Sequence, residues 1–367
     1  MSNLTLTTTL MTNVTSLIAN DTTSIPSLDE LLDRLGFEMW EIVVNTFILP
    51  PINLIGFILC SFSLWIFSRP SFEDPIFFYY RLLCFVNIIH LSHNIPFGVL
   101  FTPKYFPMIN TFASSIYTMY YSFLINFLFH FEDVLQMAIL LHKMKLFVPF
   151  VKKHFTSSPQ IISLALFLIC LLIDLPYAFS IKIVSFGEYF YFDSDGLKHI
   201  VDFYYFTSSD FSQTLFGQIL IGLTSLFLNS FLTLLVGIIL NIVSYIKYKI
   251  YSNQRKRELE HLQMSSINNR PTTSREMEQQ RRRQRTEQNI EKNMLRMSLT
   301  LCTISILLRF LYMSSIIYYF LFNSFFNSLL TEIVVNLFLT FAPTVSSFIF
   351  YSFNKMFRDE TKNLFQF

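Results

Sequence analysis

A knot of His130, Glu132, Asp133 and Gln136 interrupts an otherwise largely apolar run between residues 111 and 141. Two adjacent carboxyls beside an imidazole can pair with a cation, hold a metal or pass a proton. A second polar knot, Asn87, His90, His93 and Asn94, lies in the apolar run 75–100, and Arg309 stands as the single charge in the run 298–322. His90 and His93 at i, i+3 share a helix face, and with Glu132 they could in principle hold zinc for hydrolysis. That donor set is generic, and such side chains more often join helices by hydrogen bonds. No metal, cofactor or catalytic residue is assigned on it.

What these groups share is depth. At ~1.5 Å per residue, Asp133 lies roughly 13 Å from the basic exit at His142 and Lys143, and Arg309 lies roughly 20 Å from Arg296. Both fall inside a ~30 Å hydrocarbon layer, where a charge needs a partner. An arginine side chain spans the difference in level, so Arg309 is expected to pair with Glu132 or Asp133. Asn87, His90 and His130 are expected to complete an interior polar network with these three charges.

The elements that position them must be membrane helices. Of the 367 residues, 52% are hydrophobic, 17% aromatic and 14% charged, well below the quarter that soluble domains carry. Eight glycines leave little room for phosphate-cradling loops, and nothing in the sequence points to nucleic acid. Cys60, Cys84, Cys170 and Cys302 all lie in apolar segments, so an outer disulfide is not expected. The expected fold is all-α: an integral seven-helix transmembrane bundle with spans at about 42–67, 75–100, 111–141, 161–180, 214–245, 298–322 and 329–351. Pro50 and Pro51 predict a kink in the first span. The segment 181–213 reads as a long loop, a lid over an outward pocket. The hydrophilic stretch 247–296 reads as an inner loop that is helical at both ends and disordered between.

Residues 1–40 form a polar tail with acceptor sequons for N-glycosylation at Asn3, Asn13 and Asn20. With that tail outside, 22 of the 27 Lys and Arg residues fall on the cytoplasmic side, which meets the positive-inside rule. Domain 41–351 then crosses the bilayer seven times, and 352–367 is an amphipathic helix and cytoplasmic tail. The expected location is the plasma membrane, N-terminus outside. An outward pocket is expected between the second, third, sixth and seventh helices. Asn94, Tyr117, Tyr120, Tyr121, Tyr318 and Glu332 supply the aromatic surface and few polar groups that ligand pockets use.

Two stretches resemble a known family. At the inner end of the third span stand His142, Lys143 and Met144, followed by Pro149. At the end of the seventh, Ala342-Pro343 is followed by Tyr351, and Phe353-Asn354-Lys355-Met356-Phe357-Arg358 places Phe353, Met356 and Phe357 on one helix face. These match the layout of the rhodopsin-like G-protein-coupled receptors, in a divergent form similar to the nematode serpentine chemoreceptor-like groups. There the inner end of helix 3 reads D-R-Y, helix 7 carries N-P-x-x-Y, and an eighth helix lies along the membrane. The C-W-x-P of that family's sixth helix has no counterpart here. The resemblance implies a receptor rather than an enzyme, relaying an outside ligand to a cytoplasmic heterotrimeric G protein, with Lys143 in the place of the family's central arginine. A seven-helix metal hydrolase and a secondary transporter are the alternatives. An odd number of spans and the absence of an internal repeat speak against the transporter.

Overall fold

The structure, a computed structural model, describes residues 44–100, 112–192, 198–268, 274–322 and 325–365. Asn3, Asn13 and Asn20 lie outside them. Seven rods make the bundle: α1 (Leu49–Phe67), α2 (Ile76–Leu100), α3 (Phe112–Met144), α4 (Pro159–Ala178), a fifth rod called α5, α6 (Ser274–Phe322) and α7 (Phe325–Phe353). The fifth is built of three consecutive pieces, Leu215–Ile221, a π-helical stretch Gly222–Leu232, and Thr233–Asn268. An eighth helix, α8 (Lys355–Phe365), follows. Among the described residues six helices are long and apolar enough to cross a membrane, and α7 adds the seventh rod.

The helix starts are chemically explained. Pro50 and Pro51 occupy the first turn of α1, where the missing N–H costs nothing, and a wider π turn, Val44–Ile48, precedes them. The expected kink is thus a change of hydrogen-bond pattern at the start of the helix. Asp74 Oδ1 accepts from the Ile76 N–H at 3.0 Å to start α2. Ser158 caps α4 ahead of Pro159. Thr214 accepts from the Gly217 N–H at 3.0 Å to start the fifth rod. A Cβ on Gly217 would meet the Phe211 carbonyl oxygen at 1.9 Å, so no larger residue fits that corner.

The structure departs from the expected elements in two places. The segment 181–213 holds an antiparallel hairpin, β1 (Ile181–Phe192) and β2 (Lys198–Ser208), then a short helix, Asp210–Gln213. Its register runs from Ile181 opposite Ser208 to Phe192 opposite Lys198, with an irregularity between Ser185 and Gly187. Strand-forming aromatic and β-branched residues fill both arms. The stretch 247–296 is helical wherever it is described, because α5 runs on to Asn268 and α6 begins at Ser274. Arg255 of α5 joins Glu291 of α6 at 3.0 Å across these extensions.

α3 runs through the middle of the bundle, against α2, α4, α5 and α6, while α7 closes against α1, α2 and α6. Gly56 lets α1 and α7 close up, since a Cβ there would lie 2.3 Å from Thr344 Oγ1. Ser63 Oγ donates to Ser347 Oγ at 3.0 Å on the same contact. At the end of the bundle where α1 leaves and α7 meets α8, Phe67, Phe72, Phe77, Tyr80, Phe350 and Phe357 form one aromatic cluster. Phe67 stacks on Tyr80 at 5.6 Å and meets Phe350 and Phe357 edge-on or tilted at 5.0 and 5.1 Å. α8 is held there: Asn354 Oδ1 accepts from the Phe357 N–H at 3.2 Å, and Glu360 accepts from Ser71.

Candidate functional site: a charged ring joining four helices

The polar side chains of α3 do not act as one group. His130 and Asp133, at i, i+3, leave the helix toward different neighbours and become the two ends of a closed ring. His130 Nδ1 donates to Asp174 Oδ2 of α4 at 2.9 Å. Asn229 of the fifth rod donates through Nδ2 to the other oxygen of Asp174 at 2.7 Å. The same amide accepts, through Oδ1, from Arg309 Nη1 of α6 at 2.8 Å. Arg309 Nε then donates to Asp133 Oδ2, and Ser305, one turn before Arg309, donates to Asp133 Oδ1. The path α3 to α4 to α5 to α6 and back to α3 is complete.

Every member of the ring is buried. A guanidinium at this depth is stabilised by a carboxylate, an amide oxygen and an aromatic face, and Arg309 has all three: its guanidinium carbon lies 4.2 Å from the Phe129 ring centre. Asp174 in turn takes a hydrogen bond on each carboxylate oxygen, which is what a buried carboxylate needs. Asn229 is the hinge of the ring because a neutral amide both donates and accepts. It sits in the π-helical stretch, and such stretches mark sites where a side chain is re-aimed.

Of the two acids expected to pair with Arg309, the partner is Asp133. Glu132 accepts from Gln136 Nε2 at 3.2 Å, and its second oxygen has no partner among the described residues. Glu132, Gln136, Ser305 and Ser346 line a small pocket between α3, α6 and α7. Asn87 and His90 are buried in α2 without hydrogen-bond partners among the described residues, so they do not join the ring. Among those residues no group of three or more His, Cys, Asp or Glu could hold a metal ion. Asp174, Asn229 and Ser305 were not singled out from the sequence. Counting from the expected cytoplasmic ends of the spans 161–180 and 214–245, Asp174 and Asn229 lie roughly 20 to 24 Å deep, near the level of Arg309, and this common depth was the available signal.

The C-terminal end of α3 is a second tether. Lys143 is 8% exposed and donates from Nζ to Met294 Sδ of α6 at 3.6 Å. His142 packs against the Tyr79 ring at 5.7 Å, Met144 is buried, and Pro149 is exposed at the start of a short helix, Pro149–His154. Of the expected pocket residues, Tyr120 is half exposed, with its ring centre 6.3 Å from that of His93. The side chains of Asn94, Tyr117, Tyr121, Tyr318 and Glu332 lie outside the described ones.

The crystal structure of squid rhodopsin superposes on this chain with a TM-score of 0.59 at 11% sequence identity, covering 94% of this chain and 87% of rhodopsin. No protein-family model matches the sequence, and no curated protein matches it either. Fold and site together define the class: a multi-pass membrane protein with the seven-helix rhodopsin fold, knitted through its middle by buried charges.

Proposed function

We propose that the protein is a G-protein-coupled receptor of the plasma membrane, not an enzyme. Its glycosylated N-terminus is outside and its α8 tail is in the cytoplasm. An extracellular ligand binds in the outer half of the bundle, at Asn94, Tyr117, Tyr120, Tyr121, Tyr318 and Glu332. A heterotrimeric G protein engages the inner face at His142, Lys143, Met144 and Pro149, together with the inner ends of α5 and α6.

The observation that carries this reading is the double attachment of α6 to α3 within a rhodopsin fold. Arg309 ties the helices at mid-depth and Lys143 ties them at the inner end. A buried ion pair adds little stability over well-packed apolar residues, so its use here fits a register that is either made or broken. Packed helices with discrete alternative contacts convert small displacements on one side into larger ones on the other. The ring is therefore the link through which an outward pocket acts on the cytoplasmic face.

The test is a second-messenger assay in cells supplied with a panel of G proteins, comparing the wild-type protein with Lys143→Ala and Lys143→Arg at matched surface expression. Signalling that falls with alanine and persists with arginine is expected. Absence of any messenger response with every G protein, or equal signalling from all three proteins, would remove the reading of Lys143 as the coupling residue.

A further inference from the structure

The ring leaves two buried polar atoms beside it unused. Among the described residues, Glu132 Oε2 on α3 and Arg309 Nη2 on α6 have no hydrogen-bond partner. One belongs to a carboxyl and the other to a guanidinium, so each is what the other lacks.

Both border the same space. The pocket between α3, α6 and α7 is lined by Glu132 and also by Phe129, Asp133 and Ser305. The guanidinium carbon of Arg309 lies 4.2 Å from the Phe129 ring centre, and Arg309 Nε donates to Asp133, so the cation stands at the edge of that pocket. On its α6 side the pocket meets Leu301, Ile304, Ser305 and Leu308, one helix face at i, i+3, i+4 and i+7. Arg309, one turn beyond Ser305, is at the margin of that face. A new rotamer at Arg309 directs its long side chain across the pocket to Glu132. Because the pocket is small, α6 has to shift to admit the guanidinium.

The two arrangements are balanced. In the observed one Arg309 holds Asp133, and Glu132 has a single neutral donor, Gln136 Nε2 at 3.2 Å. With the cation on Glu132, Asp133 is left with a single neutral donor, Ser305 Oγ. Either way there is one ion pair and one carboxyl with one hydrogen bond, on adjacent residues of one helix. States so alike in their contacts lie close in free energy, which is the condition for a two-position switch between packed helices.

We propose that Arg309 has two carboxyl partners and passes from Asp133 to Glu132 as α6 shifts against α3, so that the tie between these helices has two registers. The observed arrangement is one of them. The exchange involves neither ligand nor G protein, and it holds or fails independently of the receptor reading.

The test is a double-mutant cycle on the full chain in detergent, read first by thermal melting. Glu132→Gln should melt no lower than the wild type. Asp133→Asn should fold and melt lower, with Arg309 held by Glu132. Asp133→Asn/Glu132→Gln strands the cation and should melt well below Asp133→Asn. Spin labels on Gln160→Cys of α4 and Lys292→Cys of α6, both exposed positions, then read where α6 lies, and the four native cysteines are buried away from the reagent. Asp133→Asn should move the label distance to a new value that Glu132→Gln never shows. Melting of the double variant together with Asp133→Asn would overturn the proposal, as would an Asp133→Asn protein that does not fold. So would a wild-type label distance in Asp133→Asn, since Glu132 would then take the cation without any shift of α6.

Discussion

Replacing Arg309 by methionine tests the ring most sharply. The substitution keeps much of the side-chain volume and removes the cation, leaving Asp133 with Ser305 alone and Asn229 Oδ1 without its donor. Breaking a buried pair from one side costs about 3 to 5 kcal/mol, because the surviving charge is uncompensated. Loss of the contact with the Phe129 face adds about 0.5 to 2 kcal/mol. Against a total stability of ~5 to 15 kcal/mol that loss is severe, so Arg309→Met should melt well below the wild type in detergent and reach the surface poorly. Arg309→Met/Asp133→Leu removes both charges and should recover much of the loss, since an apolar replacement of a whole pair is often neutral. Arg309→Met/Glu132→Gln should recover none, because Glu132 does not contact the arginine. A single variant with wild-type melting and surface level would refute the argument, as would rescue through Glu132 in place of Asp133.

Other outcomes follow from the same contacts. Asn229→Leu opens the ring at its hinge and strips a partner from both Asp174 and Arg309, for about 1 to 3 kcal/mol per unsatisfied group, read as a lowered melting temperature. Phe357→Ala removes a buried ring from the cluster that holds α8 against α1 and α7 and should cost about 3 to 5 kcal/mol in the same assay. An N-terminal epitope tag should be reachable on intact cells, and glycosidase should raise gel mobility through Asn3, Asn13 and Asn20. A tag that stays hidden until permeabilisation would contradict the orientation drawn from the basic residues.

Residue type and spacing were enough for the number of rods and the apolar runs that form them, because a hydrocarbon layer accepts long apolar helices and little else. They were also enough to mark Arg309 as a residue in need of an acid. α8 was equally legible, since Phe353, Met356 and Phe357 share a face at helical spacing, and that face packs in the aromatic cluster. The hairpin was passed over because its aromatic runs sit in an outer segment read for polarity rather than for strand formers. Helix at both ends of 247–296 was legible, but not how far it runs on either side of 269–273, because charge density alone does not show that α5 and α6 extend side by side and exchange the Arg255–Glu291 pair.

The choice between Glu132 and Asp133 belonged to tertiary structure. The two acids differ by one residue in depth but point about 100° apart around α3, so only the packing angle of α6 decides which one meets Arg309. The same holds for Asp174 and Asn229: each is a lone polar residue in an apolar span, and their meeting depends on how α4 and the π-helical turn of the fifth rod face each other. Depth along a membrane helix is set by counting residues. Direction around it is set by the neighbours it packs against, and that is where the ring was decided.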